Sequence, residues 1–395
     1  MPEQSPTLSE SPHEISPSRN TSHRQLKIIT VAGGKGGVGK TIVSTSLALA
    51  LIQSRASVVL VDADLGGANL HTLMGIDHPE KTLHDFISRR VKSLVEILLP
   101  SPIGGVQLIC GAAGTTGFAN IDYNEKLKII RHLRQLTTDF VIVDIGAGSS
   151  FNEVDLFNAG DIQIVVANPE PTSMQECYNF LKVAVFRLLH RTFHDTPKVL
   201  ELLKRSQDPT HVHDHRLLTE IGKQVRALDV REAVRFFRVI NALSPKLILN
   251  RVHDFREIRE GLSLQIATQD LLRLRLEVWG YLSYEARLQN ALRAKRPEDI
   301  LPADSENYLR LVKMVQRHLL AANVRYESLG ARTIVPLLDL HQRETSEVRI
   351  CSVQCPLWGN CELEEGGLPC RMQESVYQNR IGEMSRSSVR DFFDE

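Results

Sequence analysis

Short apolar runs alternate along this chain with longer stretches of helical periodicity, beginning at Leu26. The short runs are typical of buried strands, and apolar residues spaced three and four apart are typical of helices. Strands are predicted over Leu26–Ala32, Ser57–Asp62, Val106–Ile109, Phe140–Asp144, Ile162–Ala167, Lys246–Asn250 and Glu277–Leu282. Helices are predicted over Ile42–Ile52, Leu83–Leu99, Glu125–Leu136, Arg256–Leu274, Tyr284–Ala294 and Tyr308–Ala321. This alternation predicts an α/β fold, a mostly parallel sheet sandwiched by helices.

The alternation is interrupted between the fifth and sixth predicted strands, Ile162–Ala167 and Lys246–Asn250, where only helical spacing occurs. Helices are predicted there over Leu181–Phe193, Pro197–Leu203, Leu217–Leu228 and Val230–Val239. We therefore predict a helical insertion at about 185–243, a candidate lid or partner-binding element. Residues 1–24 are polar and rich in Ser and Pro, which predicts a disordered leader. The predicted organisation is this leader, a domain at 25–325 and a small Cys-rich C-terminal extension at 326–395.

The composition and charge of the chain are those of an ordinary globular protein. The 395 residues are 42% hydrophobic and 24% charged, as in soluble globular proteins, and 47 basic residues balance 47 acidic ones. This balance disfavours nucleic acid as a partner. No apolar run is long enough to span a bilayer, and the N-terminus does not resemble a signal peptide. These features predict a cytoplasmic protein.

The most specific motif is the glycine-rich segment Gly33–Thr41, between the first predicted strand and helix. Its glycines allow successive N–H groups to face phosphate oxygens, and the following helix presents its positive end to the same anion. Lys40 is placed to reach the β/γ-phosphates, and the Thr41 hydroxyl is a candidate Mg²⁺ ligand. The residues predicted to bind the nucleotide here are Gly34, Lys35, Gly36, Gly37, Val38, Gly39, Lys40 and Thr41.

Carboxylates follow two other predicted strands. Asp62 and Asp64 end one buried strand, and Asp144 ends another before Gly146. Because ligands of parallel α/β sheets bind at the carboxyl ends of strands, these aspartates are expected beside the phosphate loop. Mg²⁺ takes one or two carboxylates and keeps several waters, so Asp62 and Asp144 are candidate ligands together with Thr41.

Four segments together resemble the MinD/ParA/Mrp class of ATPases with a deviant phosphate loop, and most closely MinD/FlhG (FleN)-like proteins. They are K-G-G-V-G-K-T at 35–41, D-A-D-L-G-G-A-N at 62–69, N-P-E-P-T-S at 168–173 and Asn250-Arg251. The resemblance covers about 26–320, outside the insertion, and implies a P-loop NTPase fold of the SIMIBI type. It also implies catalytic roles for Lys35, acting across a dimer interface, and for Lys40 and Asp64, which positions the attacking water. Asn250 would recognise adenine, with Arg251 beside it.

The resemblance implies an ATP- and Mg²⁺-dependent switch that dimerises with ATP and regulates the positioning or assembly of a division site, flagellum or pole. The expected partners are a second copy of the chain and an unidentified protein bound through the insertion or tail. Related proteins attach peripherally to the inner face of the membrane through a basic amphipathic helix, and residues 371–395 lack one as clear. Two other functions stay open, iron–sulfur cluster assembly as in Mrp and, less favoured, DNA partitioning as in ParA.

The extension contains a cluster of four cysteines. These are Cys351, Cys355, Cys361 and Cys370. Thiolates at this density in a reducing compartment favour a [4Fe–4S] cluster first, with Zn²⁺ or reduced thiols as the alternatives. The histidine-rich turn at 211–215 is interpreted as solvated. Cys110 and Cys177 are interpreted as small core residues.

Overall fold

The computed structural model describes most of the predicted ATPase domain and little of the two ends. The described residues are 25–64, 67, 70–76, 78–101, 105–111, 123–205, 217–294, 296, 299–300, 302 and 304–320, and five single residues at 357, 361, 372, 376 and 380. The predicted leader and most of the predicted C-terminal extension lie outside these residues.

Within this part of the chain, one eight-stranded sheet forms the centre of the molecule. Its strands are β1 (Lys27–Ala32), β2 (Val58–Ala63), β3 (Leu99–Pro100), β4 (Val106–Ile109), β5 (Phe140–Ile145), β6 (Ile162–Ala167), β7 (Lys246–Val252) and β8 (Glu277–Ser283). Their spatial order is β3-β4-β2-β5-β1-β6-β7-β8. All neighbours pair in parallel except β3 and β4. The predicted α/β architecture is therefore confirmed.

Helices cover both faces of the sheet, as its apolar strands require. They are α1 (Lys40–Gln53), α2 (Leu70–Leu73), α3 (Leu83–Ile87), α4 (Tyr123–Leu133), α5 (Phe151–Asn158), α6 (Pro171–Thr192), α7 (Pro197–Arg205), α8 (Leu217–Leu228), α9 (Val230–Ala242), α10 (Ile258–Leu272), α11 (Ala286–Ala294) and α12 (Glu306–Val315). Strands β2 and β5 are buried along their whole length, because two separate apolar clusters pack on opposite faces of the sheet. None of the helices in the described ranges is long and apolar enough to cross a membrane.

The single helix predicted over Leu83–Leu99 is wrong. Helix α3 ends at Ile87, Arg89 adopts a left-handed conformation (φ +63°), and a short 3₁₀ helix follows at Leu94–Ile97 before β3. A left-handed residue after a helix is a common terminator. The Ser93 hydroxyl then accepts a hydrogen bond from the Val95 N–H and starts a new turn. The apolar spacing of the segment is helical, but the left-handed Arg89 and the Ser93 hydrogen bond divide it into two short helices.

Helices α7, α8 and α9 lie within the predicted insertion and pack against the same core as the sheet. Phe193, Leu218 and Phe236 are fully buried in the same apolar cluster as residues of β5 and β7. The rings of Phe193 and Phe236 lie 6.1 Å apart. These helices therefore extend the main core.

Candidate functional site

The glycine-rich segment connects the carboxyl end of β1 to the amino end of α1, as its pattern predicts. Gly39 precedes the first residue of the helix and has φ +92°, and Gly37 has φ +78°. Both values lie in the region that glycine adopts without strain. Gly36 and Gly37 are exposed at the tip of the loop, and the Val38 side chain is buried beneath it. The loop thus has the backbone geometry of an anion-binding turn at a helix start.

The two lysines of the loop face different surroundings. Lys40 is only 9% exposed, and its burial lowers the pKa of the ammonium, against the opposing attraction of Asp144 and Asp64. Lys35 is exposed, and its Nζ donates to Thr172 Oγ1 on α6 at 3.3 Å. Lys40 therefore belongs to the interior of the site, while Lys35 lies on its outer surface.

Asp62 and Asp144 are paired across neighbouring strands. They occupy the same register position on β2 and β5, and their exposed fractions are 1% and 3%. Asp62 accepts hydrogen bonds from the backbone N–H groups of Asp64 (3.1 Å) and Leu70 (3.0 Å). Asp144 accepts one from the Ser44 hydroxyl at 3.0 Å.

Burial is the main reason that the pKa of both carboxyls is raised. The pKa of Asp62 rises to about 7, through desolvation and then the nearby charge of Asp144. Desolvation also raises the pKa of Asp144 to about 6, although hydrogen bonds from Thr41 and Ser44 oppose the rise. The charge of Lys40 also opposes the rise at Asp144, but it does not outweigh burial. A divalent cation with oxygen ligands would supply further positive charge to the pair. The donor set of Asp62, Asp144 and Thr41 fits Mg²⁺.

Asp64 lies at the junction between β2 and the segment after β5. Its Oδ1 accepts a hydrogen bond from the Gly67 N–H at 2.8 Å. A Cβ placed on Gly146 would stand 3.2 Å from the same oxygen, so the carboxylate lies against the Gly146 backbone. The side chain is partly exposed, unlike those of Asp62 and Asp144. The structure thus brings Asp64 next to the glycine segment that follows β5.

Asn250 lies at the end of β7 and contacts the phosphate loop directly. Its side chain is 4% exposed, and Nδ2 donates to the Val38 carbonyl at 2.8 Å. Arg251 follows in a left-handed conformation (φ +59°) within an irregular part of the strand, and is half-buried. The adenine-recognising role of Asn250 and the role of Arg251 stay predictions.

Two functional candidates, Ser44 and Asn168, are missing from the sequence-based set. Ser44 is fully buried on α1, one turn after the loop, and contacts Asp144. Asn168 follows β6, and its amide donates to the carbonyl of Val38 when its nitrogen faces that group. The sequence signal for Asn168 was its place at the start of the N-P-E-P-T-S segment at 168–173, directly after a predicted strand.

The cysteine cluster falls almost entirely outside the described residues. Cys361 is described as a half-buried free thiol, and Cys351, Cys355 and Cys370 are not described. The histidine-rich turn at 211–215 also lies outside. Across the residues that are described, no group of three or more His, Cys, Asp or Glu side chains could hold a metal ion. The iron–sulfur or zinc site stays a prediction.

Cys110 and Cys177 are confirmed as core residues. Both side chains are buried, and burial raises the pKa of each thiol to about 12. At neutral pH these groups are therefore protonated and chemically inert.

Comparison with known proteins agrees with this geometry. The CobQ/CobB/MinD/ParA nucleotide binding domain family matches residues 29–298. The chain is 32% identical to the antiactivator FleN of Pseudomonas aeruginosa over 57% of its own length and 82% of FleN. It is 28% identical to the septum site-determining protein MinD of Buchnera aphidicola over 49% of its length and 72% of that protein.

A solved structure of MinD from Pyrococcus horikoshii, complexed with Mg-ADP, has the same fold. It superimposes with a TM-score of 0.50 at 20% identity, covering 74% of this chain and 95% of that one. The family match spans well over half of the chain and contains the loop and both buried aspartates, Asp62 and Asp144. This chain belongs to the MinD/ParA class of P-loop ATPases, close to FlhG and MinD.

Proposed function

We propose that this chain is a Mg²⁺-dependent ATPase that dimerises with ATP and regulates the positioning or assembly of a cellular structure. The observation that supports the proposal is that the two loop lysines differ in burial. Lys40 is buried beside Asp144, and Lys35 is exposed on the loop surface. A second loop cation facing outward is suited to contact a nucleotide bound by a second copy of the chain.

The residues of one subunit divide into binding and hydrolytic roles. The loop N–H groups and Lys40 bind the phosphates, and Thr41, Asp62 and Asp144 would hold Mg²⁺, which would supply charge neutralisation at the phosphate oxygens. Asp64 orients the water that attacks the γ-phosphorus, the bond to the β-phosphate oxygen breaks, and ADP and phosphate leave.

Hydrolysis changes the conformation of the segment next to Asp64. Gly146 lies against the Asp64 carboxylate, and Gly148 adopts φ +108°. Both residues precede α5, so loss of the γ-phosphate alters the start of that helix. The two states, dimer with ATP and monomer with ADP, are the regulatory output.

The cellular role is proposed from the relatives. The names of FleN and MinD describe an antiactivator and a septum site-determining protein, and YlxH of Helicobacter pylori, 30% identical over 40% of this chain and 53% of YlxH, is named a flagellum site-determining protein. A division site, a flagellum or a pole is therefore the class of structure that this switch regulates. The protein partner would bind through the surface of α7–α9 or through the C-terminal extension.

Phosphate release from ATP tests the enzymatic part. We expect hydrolysis by the purified chain with Mg²⁺, loss in EDTA, and loss in the Lys40→Ala variant. The exposed Lys92 provides a matched control, because Lys92→Ala removes the same charge away from the loop. Hydrolysis that persists in Lys40→Ala would show that the loop is not the site.

A second candidate function rests on the density of cysteines at 351–370. As a carrier of an iron–sulfur cluster, the protein purified without oxygen would be coloured, contain iron and transfer its cluster to an apo-acceptor. A colourless protein without iron or zinc would reject this candidate and leave the ATPase proposal intact.

A further inference from the structure

Two buried asparagines meet at one carbonyl in the middle of the phosphate loop. Asn250 Nδ2 donates to the Val38 carbonyl at 2.8 Å, and Asn168 Nδ2 donates to the same oxygen at 3.1 Å when its amide faces it. Asn168 also reaches the backbone carbonyl of Asn250 at 3.3 Å. Both side chains are nearly inaccessible, with 4% and 6% exposure. A carbonyl oxygen has two lone pairs, so this arrangement fills both acceptor positions of Val38.

These bonds fix the orientation of one peptide group. The peptide between Val38 and Gly39 is planar and trans, so its N–H points opposite to its C=O. Because the carbonyl is held by the asparagines at the ends of β6 and β7, the Gly39 N–H points away from them. That N–H immediately precedes the helix whose positive end faces the bound anion.

The amide of Asn250 lies directly against the Gly39 backbone. A Cβ on Gly39 would stand 2.1 Å from Asn250 Nδ2, so a side chain at position 39 would displace this amide. Asn168 is anchored in turn, since its N–H donates to the buried Ser173 hydroxyl on α6 at 2.9 Å. The two buried amides therefore pack against the underside of the loop.

We infer that Asn250 and Asn168 are positioning residues that hold the Val38–Gly39 peptide in its phosphate-binding orientation. They act through the loop backbone and govern affinity for the phosphates of any nucleoside triphosphate, whatever its base. This differs from the adenine-recognising role predicted for Asn250 from the sequence. The inference rests on the proposed function only in requiring that the loop binds a nucleotide.

The test is affinity for ATP and GTP, measured by calorimetry on the full chain and on Asn250→Asp and Asn168→Asp. Each change keeps the shape of the side chain and replaces the donor with an oxygen that faces the Val38 carbonyl. We expect each variant to bind ATP and GTP about tenfold to a hundredfold more weakly, with the ratio of the two affinities unchanged.

Asn307 provides the matched control. It is also a buried asparagine, and its Nδ2 donates to the Ser283 carbonyl at 2.9 Å, joining α12 to the end of β8. Asn307→Asp should lower the unfolding temperature without changing nucleotide affinity. If Asn250→Asp does not fold, Asn250→Ala removes the donor without adding a repulsive oxygen, and the same pattern is expected.

Three results would overturn the inference. A variant of Asn250 that loses preference for ATP over GTP while keeping its GTP affinity would show that the residue recognises the base. Variants of both asparagines that only lower the unfolding temperature would show a purely structural role. A wild-type chain that binds neither nucleotide would reject the proposed function, and the positioning role with it.

Discussion

At the scale of single residues, the buried carboxylate of Asp155 forms ion pairs with three basic side chains. Its oxygens lie 2.8 Å from Lys126 Nζ, 2.8 Å from Arg187 Nε and 3.3 Å from Arg191 Nη1. The side chains of Asp155 and Lys126 are 2% and 6% exposed. This group joins α4, α5 and α6 just beyond the glycine segment that follows β5. It stabilises the position of α5.

Asp155→Asn should lower the free energy of unfolding by about 3–5 kcal/mol, because it leaves the buried Lys126 charge uncompensated. Urea unfolding measures the change. Glu220→Gln is the control, since it breaks a solvent-exposed pair with Lys223 and should cost less than about 1 kcal/mol. Equal losses in the two variants would contradict this account.

The ionisation of Asp155 makes the free energy of unfolding depend on pH. Burial raises the pKa of Asp155, but hydrogen bonds from Arg187 and Lys126 outweigh it and hold the pKa below the usual value. The contribution of the ionised Asp155 to the free energy of unfolding is therefore complete at pH values above the pKa of an ordinary aspartate. It is lost as the pH falls below about 4. We expect the difference in stability between wild type and Asp155→Asn to be full at neutral pH and to shrink below that point. A difference that does not change in acid would exclude ionisation of Asp155 as its source.

Ser44→Ala removes a buried hydroxyl that donates to Asp144 at 3.0 Å. We expect a loss of about 1 kcal/mol in stability and a higher Mg²⁺ requirement for hydrolysis, because the carboxylate loses a positioning bond. Ser46→Ala, also buried on α1, should leave the Mg²⁺ requirement unchanged. Denaturant unfolding and a Mg²⁺ titration of phosphate release measure the two effects.

The site residues that sequence motifs predicted are those with a characteristic local spacing. Lys40, Asp62 and Asp144 each stand at a strand end or loop position that the pattern identifies. Ser44 and Asn168 were not predicted because their partners are distant in sequence. Even for Asn250, only the fold shows that its amide contacts Val38, 212 positions away.

At the scale of elements, helix α6 supports the phosphate loop from the side. A Cβ on Gly34 would lie 2.0 Å from the Glu176 carbonyl on this helix, so the loop and the helix backbone are in direct contact. Thr172 on the same helix accepts the Lys35 hydrogen bond. Helix α6 therefore joins the loop to the helices α7–α9.

Gly34→Ala should weaken ATP binding by at least about tenfold, because the added methyl group overlaps backbone that cannot move cheaply. Gly261→Ala is the matched control, because its Cβ would crowd the Leu249 side chain of β7 at 3.0 Å, away from the loop. It should leave ATP affinity unchanged. Calorimetric affinities that change equally in both variants would show that the contact with α6 is unimportant.

The elements themselves were predicted to different degrees. The long parallel strands follow directly from apolar runs that are buried on both faces. The division of the predicted Leu83–Leu99 helix into α3, a 3₁₀ turn and β3 depends on the left-handed Arg89 and on the hydrogen bonds of Ser93. Apolar spacing alone does not contain these backbone signals.

At the scale of the whole molecule, the helices α7–α9 share the core of the sheet. The sequence predicted their helical character but not that Phe193 and Phe236 are buried against the central fold. A partner bound on the outer face of these helices would therefore contact elements that share an apolar core with the sheet that carries the loop. This arrangement allows the nucleotide state and partner binding to influence each other through α6.

In the proposed function, ATP joins two copies of this chain. The most direct measurement is the molar mass by light scattering in saturating ATP and in ADP, using the Asp64→Ala variant to slow hydrolysis. We expect twice the monomer mass in ATP and the monomer mass in ADP. Lys35→Ala in the same background should stay monomeric while retaining ATP affinity. An Asp64→Ala variant that binds ATP and remains monomeric would contradict ATP-dependent dimerisation.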